Sequence, residues 1–285
     1  MAGEHAIIDL GGWLDTPAGR CMLAWEQTLL DEAVADSFGF HALQLGLPEM
    51  DGLRNNRMPH RWLACEHDEA VAPMALDPVP DGLASVLPTG GATLRCQPEA
   101  LPFPDESLDL VLLPHTLELV DDPHLALAEA ARVLRPEGRL IVSGFNPASL
   151  WMLRQRMGHL ARNASLGSGP LFLPDTGEAI GYWRLRDWMR LVHLEPERGR
   201  FGCYRMPCRS QAWLQRWRWM EGVGERWWPV LGAVYLLQAV KRVRGMRLVG
   251  LSPRRRLRLA AGPAVAANRH WRGGASAHET IAPHD

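Results

Sequence analysis

A chain of 285 residues with 47% apolar side chains is long enough to bury a sizeable core in one elaborated α/β domain. Five scattered cysteines (Cys21, Cys65, Cys96, Cys203, Cys208) form no CxxC pair and no His/Cys ligand spacing, which argues against a metal site and fits a reducing cytoplasm. The net charge of −1 conceals an asymmetry: acids dominate to about residue 135, arginine after residue 184, a skew that reads most simply as a solvated basic stretch.

Thr16-Pro17 starts a helix, with threonine as N-cap and proline in the first turn. Met22, Leu23, Trp25, Leu29, Leu30, Ala33 and Val34 keep helical spacing to Phe38, and Gly39 stops it. Before it, Glu4 and Asp9 stand where a secretory leader would need a basic start, so a cytoplasmic location is expected. Residues 40–45 read as a short buried strand ending at Gly46, residues 47–60 as loop, Trp62–Cys65 as a second strand, and the proline-rich residues 72–91 as surface chain. Ala92–Cys96 and Leu108–Leu113 supply further strands. Asp121-Asp122-Pro123 opens a helix with Leu125, Leu127, Ala128, Ala131 and Leu134 on one face. Arg135–Gly138 ends it, and Arg139–Ser143 is the fifth strand. Strands alternating with helices imply right-handed crossovers and a parallel sheet.

Beyond Pro147 the pattern loosens. Residues 162–176 read as a loop over the sheet, Trp183–Val192 as a helix, Gly232–Val249 as late strands, and the stretch from Ser252 as frayed. The longest apolar run, Pro229–Val240, is too short to span a bilayer. In an open parallel sheet ligands bind at the carboxyl ends of the strands. That directs attention to Gly46, Gln97-Pro98, Pro114-His115 and residues 144–147.

Leu101-Pro-Phe-Pro-Asp105, Asp109-Leu-Val111, Leu117-Glu118, Ala131-Arg-Val-Leu-Arg-Pro136 and Gly138 together resemble the signature of class I S-adenosylmethionine (SAM) dependent methyltransferases of the type-11 branch. The likeness is tight over residues 92–145 and looser from Gly39 to Val243. It implies a doubly wound, mostly parallel sheet with helices on both faces. It further implies methyl transfer from SAM to a small-molecule acceptor by in-line displacement. The alternative is a non-catalytic binding or scaffold protein that kept the fold and lost the cofactor loop, on a membrane surface or elsewhere. By position, the likeness assigns cofactor binding to Gln44, Gly46, Glu66, Gln97, Pro98, Leu101, Pro114 and His115. Gln44 stands where the family carries an acid, and Pro48 and Met50 replace the second and third loop glycines. Proline has no N–H to donate to a carboxylate. Each missing hydrogen bond to a charged group costs roughly 1.5–3 kcal/mol.

His115, at the end of the fourth strand, is the candidate general base, and Glu118 a second catalytic candidate. A histidine that merely satisfies its own loop is the competing reading. Asp109 and Arg132 read as structural. No specific nucleic-acid partner is expected. The segment 211–228 carries five of the twelve tryptophans among arginines, which suggests either cover for the sheet or weak contact with a membrane surface. The expected organisation is an N-terminal helical segment 1–38, an α/β domain 39–250 with an acceptor-side insert at about 148–230, and a basic tail 251–285.

Overall fold

The computed structural model describes residues 10–65, 92–164, 171–174 and 177–242. The expected tail 251–285, the surface chain 72–91 and Glu66 lie outside these residues. The chain divides into units Met1–Val243 and Arg244–Asp285, and everything described belongs to the first.

In chain order the elements are α1 (Pro17–Ala35), β1 (His41–Leu45), β2 (His60–Cys65), β3 (Ala92–Arg95), β4 (Leu108–Pro114), α2 (Pro123–Val133), β5 (Leu134–Phe145), α3 (Leu150–Asn163), α4 (Tyr182–Leu191), β6 (Leu194–Gly202), α5 (Gln211–Arg216), α6 (Met220–Trp227) and β7 (Val234–Lys241). The seven strands form one sheet in the order β3-β2-β1-β4-β5-β7-β6. All neighbours are parallel except β7, which runs antiparallel to both β5 and β6. The order reverses between β1 and β4, so the sheet has its switch point there.

Two hydrophobic layers sandwich the sheet. On one face Ala42, Leu110, Leu112 and Leu236 meet Met22, Leu30 and Val34 of α1, Trp151 of α3 and Leu214 of α5. On the other, Leu43, Leu45, Val111 and Leu113 meet Leu127, Ala130 and Ala131 of α2 and Leu185 and Met189 of α4. Alternate strand residues serve opposite faces, which is why β1 and β4 are apolar on both sides. The helix expected from Thr16-Pro17, within the N-terminal segment 1–38, packs directly on the sheet as α1.

The crossover from β1 to β2 carries no helix, and its residues 46–59 fold as turns. Leu47, Met50, Leu53 and Met58 from this crossover join the same buried layer as α1. α1 is capped by Thr16, whose Oγ1 accepts from the Gly19 N–H at 3.1 Å. It ends at Ala35 rather than Phe38 because the Asn56 amide donates to the carbonyls of Val34 and Ser37 and closes the last turn. β5 begins five residues earlier than its apolar run suggests. Leu108 pairs with Leu134, the register then shifts, and the intervening residues 135–138 bulge out, with Glu137 at φ 64°. Residues 194–202, inside the stretch expected to be an insert, are the edge strand of the sheet. Its exposed, charged middle hides the strand signal.

Candidate active site

At the switch point the carboxyl ends of β1 and β4 are tied together. Thr116 Oγ1, just past β4, donates to the Leu45 carbonyl at 2.6 Å, and Gly46 turns away with φ 73°. Across this junction α1 delivers Glu26, fully buried, to His115. His115 Nε2 lies 2.9 Å from Glu26 Oε1, and Nδ1 lies 2.9 Å from Glu118 Oε2. The other Glu118 oxygen accepts from the Phe145 N–H at 2.5 Å, which joins β5 to the cluster. Gly144 is needed beside it, since a Cβ there would stand 2.9 Å from Glu118 Oε1 and 3.0 Å from the Tyr235 hydroxyl.

The electrostatics follow from this geometry. Burial alone would favour a neutral imidazole, but the Glu26 and Glu118 carboxylates outweigh it and push the His115 pKa up to about 10. Burial likewise raises the Glu118 carboxyl, with the His115 ring and the Phe145 N–H opposing it. His115 is thus an imidazolium at neutral pH, 1% exposed, with both ring nitrogens engaged. A general base needs a free lone pair within reach of the acceptor. His115 has none in this arrangement, and Glu118 spends both oxygens inside the cluster. The competing sequence reading, a histidine satisfying local groups, describes the geometry better, although one of its partners comes from a helix 89 residues away.

The other candidate positions separate into two groups. Gln44, Gly46 and Pro114 sit at the switch point with His115. The Gln44 amide is buried and faces loop backbone: Nε2 lies within hydrogen-bond range of the carbonyls of Gly46, Leu47 and Met50, and Oε1 accepts from the Gly52 N–H at 2.9 Å. Gln97, Pro98 and Leu101 lie one step past β3, in a turn closed by the Ala100 N–H donating to the Gln97 carbonyl. Leu101 is held by Arg132, which donates to its carbonyl, and by Glu129, which accepts from its N–H. Gln97 itself is exposed, and Phe103 nearby packs on Trp62 at 5.5 Å. Asp109 is structural, as expected. It accepts from the N–H groups of Phe40 and His41 and pairs with Arg135.

Sequence reasoning missed Glu26. The signal was an acid set on the apolar stripe of α1, between Met22 and Leu29-Leu30, where a solvated glutamate has no place. One of its oxygens, Oε2, and the hydroxyl of Ser143 on β5 are buried without a hydrogen-bond partner.

Residues 60–142 match the family model described as "Methyltransferase domain". The strand order with its antiparallel seventh strand is the scaffold this domain sits in. The fold is that of a class I methyltransferase, and residues 60–142 resemble the type-11 methyltransferase domain. An uncharacterised Escherichia coli protein, YafS, is 30% identical to this chain over 183 residues, 64% of each chain. A ubiquinone/menaquinone biosynthesis C-methyltransferase from Hahella chejuensis is 49% identical over 53 residues, which is 19% of this chain and 21% of that protein. The chain therefore spans under two thirds of the first of these relatives and about a fifth of the second. Among solved structures, a SAM-dependent methyltransferase from Archaeoglobus fulgidus aligns with a TM-score of 0.50 at 11% identity, covering 77% of this chain and 94% of that one. A chain of the Haloferax volcanii complex containing the Trm112 methyltransferase activator aligns with a TM-score of 0.51 at 15% identity, covering 84% and 99%. Both are similarities of fold.

SAM is the cofactor of this domain family, and the two ends of the methyltransferase site differ in how they fit it. Past β3 the exposed side chain of Gln97 offers an amide that an adenine edge can meet. The loop after β1 offers a methionine carboxylate fewer N–H groups than a glycine-rich loop would. Four of its N–H groups are spent internally: Gly46 on the Ala64 carbonyl, Met50 on Leu47, Gly52 on Gln44 Oε1 and Leu53 on Asp51 Oδ1. Pro48 has none to give. Met50 and Leu47 point their side chains into the buried layer under α1. Glu66, the expected polar contact after β2, lies outside the described residues.

Proposed function

We propose that this chain is a SAM-dependent methyltransferase acting on a small-molecule acceptor. The observation that carries the reading is the coincidence of the type-11 domain match over residues 60–142 with a seven-stranded sheet whose last strand is reversed. SAM, when bound, supplies an electrophilic methyl group. The chain's own contribution is binding and orientation. Gln97 marks the adenine end. The ends of β4 and β5, held rigid by Glu26, His115 and Glu118, form the floor beyond it. Orientation of a nucleophile without a protein base supplies much of the rate in such reactions, and a charged, shielded His115 is compatible with that chemistry. The Hahella chejuensis relative is a ubiquinone/menaquinone biosynthesis C-methyltransferase, which supports a small organic acceptor here without identifying it.

The test is release of S-adenosylhomocysteine from SAM in the presence of panels of phenols, amines, carboxylic acids and activated carbon acids. Acceptor-dependent release that disappears in Gln97→Ala supports the reading. No release with any panel, together with no cofactor binding, contradicts it.

A further inference from the structure

The segment from Met206 to Leu231 has an outer surface that the methyltransferase reading leaves unused. α5 buries only Leu214 and α6 only Gly224. Around those two anchors the chain exposes Trp213 (51%), Trp219 (59%), Trp227 (70%) and Trp228 (55%), with Met206, Val230 and Leu231 also in the open. Four tryptophans more than half exposed within sixteen residues cannot be explained by packing, because a soluble surface gains nothing by wetting indoles. Inner contacts fix the segment in place. Arg205 pairs with Glu221 at 3.1 Å, and the Tyr204 hydroxyl donates to the Pro229 carbonyl at 2.7 Å.

The charges around these rings have one predominant sign. Arg216 lies over the Trp213 ring at 5.5 Å, and Arg218 and Arg226 enter no ion pair among the described residues. Of the two acids in α6, Glu221 is turned inward to Arg205 and the Tyr204 N–H, leaving Glu225 exposed. Indoles with a polar N–H flanked by guanidinium groups suit the headgroup boundary of a bilayer, where the ring is half dehydrated and arginine meets lipid phosphate. A second copy of the chain suits it poorly, since a two-fold interface would set arginine against arginine. No helix among the described residues is long and apolar enough to cross a membrane, so contact would be at the surface.

We infer that the outer face of residues 206–231 docks this protein on an anionic lipid surface. The face needs no cofactor, so this inference stands or falls separately from the proposed activity. The probe is the full chain with vesicles of phosphatidylcholine containing 30% phosphatidylglycerol (about a third anionic lipid, enough for a several-fold electrostatic gain), and with pure phosphatidylcholine.

Expected are co-sedimentation with the anionic vesicles, a fall in binding as salt is raised, and quenching of tryptophan emission by brominated lipid. The variant Trp219→Ala/Trp227→Ala/Trp228→Ala, whose changed side chains are all exposed, should lose binding about tenfold or more at unchanged Tm. Arg218→Glu/Arg226→Glu should weaken it by at least roughly fivefold per arginine removed. The inference is overturned by absence of binding to anionic vesicles. It is equally overturned by binding that the tryptophan variant retains in full, or by a dimer in velocity sedimentation that the same variant dissolves.

Discussion

Replacing Glu26 by leucine removes one carboxylate from a cluster that joins α1, β4 and β5. In the native chain His115 is held as an imidazolium between Glu26 and Glu118, each 2.9 Å from a ring nitrogen and all three shut from solvent. Leucine leaves the Nε2 N–H without a partner in a buried site. Breaking a buried pair on one side costs roughly 3–5 kcal/mol. For a domain of this size each kcal/mol moves Tm by about 2–4 °C, so Glu26→Leu should melt roughly 6–20 °C lower. Removing both partners in Glu26→Leu/His115→Phe should recover a large part of that loss, because no buried polar group is then stranded.

The pH dependence fixes the sign. His115 has a folded pKa raised from 6.5 to about 10, so its stabilisation is complete below pH 6.5 and disappears as pH rises through about 10. The Tm gap between native protein and variant should be widest near pH 6 and close toward pH 10. Differential scanning calorimetry across that range reads both effects. A gap under about 2 °C, or one that stays constant from pH 6 to 10, refutes an ion-paired His115.

Gln44→Leu strips the amide that holds the carbonyls of Gly46, Leu47 and Met50, and should cost about 2–4 kcal/mol in urea unfolding. Amide exchange should accelerate locally over residues 46–53, and unchanged exchange would deny Gln44 its role as the loop's staple. Gly202→Ala would drive a Cβ into the Trp25 ring, so the variant should lose at least about 1–3 kcal/mol and shift tryptophan emission. A neutral outcome would mean that α1 is not seated on β6 there. For Asp109, burial raises the carboxyl pKa, but the N–H groups of Phe40 and His41 and the Arg135 guanidinium outweigh it and hold it below 3.8. Its stabilisation is therefore present above pH 3.8 and lost as pH falls further. The stability gap between native protein and Asp109→Asn should shrink below pH 4 in acid titrations followed by circular dichroism.

The central half of the fold was legible in the sequence because its signals are local. Asp122 caps α2 by accepting from the N–H groups of His124 and Leu125, and the apolar runs of β4 and β5 have no competing period. The edge strand β6 was not legible. Glu-Pro-Glu-Arg-Gly-Arg lies in its middle, and its pairing with β7 depends on partners more than thirty residues away. α3 was hidden by its loose apolar spacing; Trp151, Arg154 and Gln155 tie it inward, through the carbonyls of Arg205, Pro207 and Leu173.

At the site, His115 and Glu118 could be picked from the strand-four motif as neighbours. Their chemical state could not, because it is set by Glu26, which reaches the same place through tertiary folding alone. The missing glycines after β1 were legible as a departure. That Gln44 would fill the resulting space with hydrogen bonds needed the loop's path.

The central claim is that this domain still holds SAM although its first loop carries Pro48 and spends the N–H groups of Gly46, Met50, Gly52 and Leu53 internally. Calorimetric titration of the full chain with SAM and with S-adenosylhomocysteine tests it most directly. The expected result is one site per chain with affinity in the micromolar range, weakened about tenfold or more in Gln97→Ala. No heat and no thermal shift at millimolar ligand would contradict it, and would leave the sheet, with its closed loop, as a methyltransferase scaffold without its cofactor.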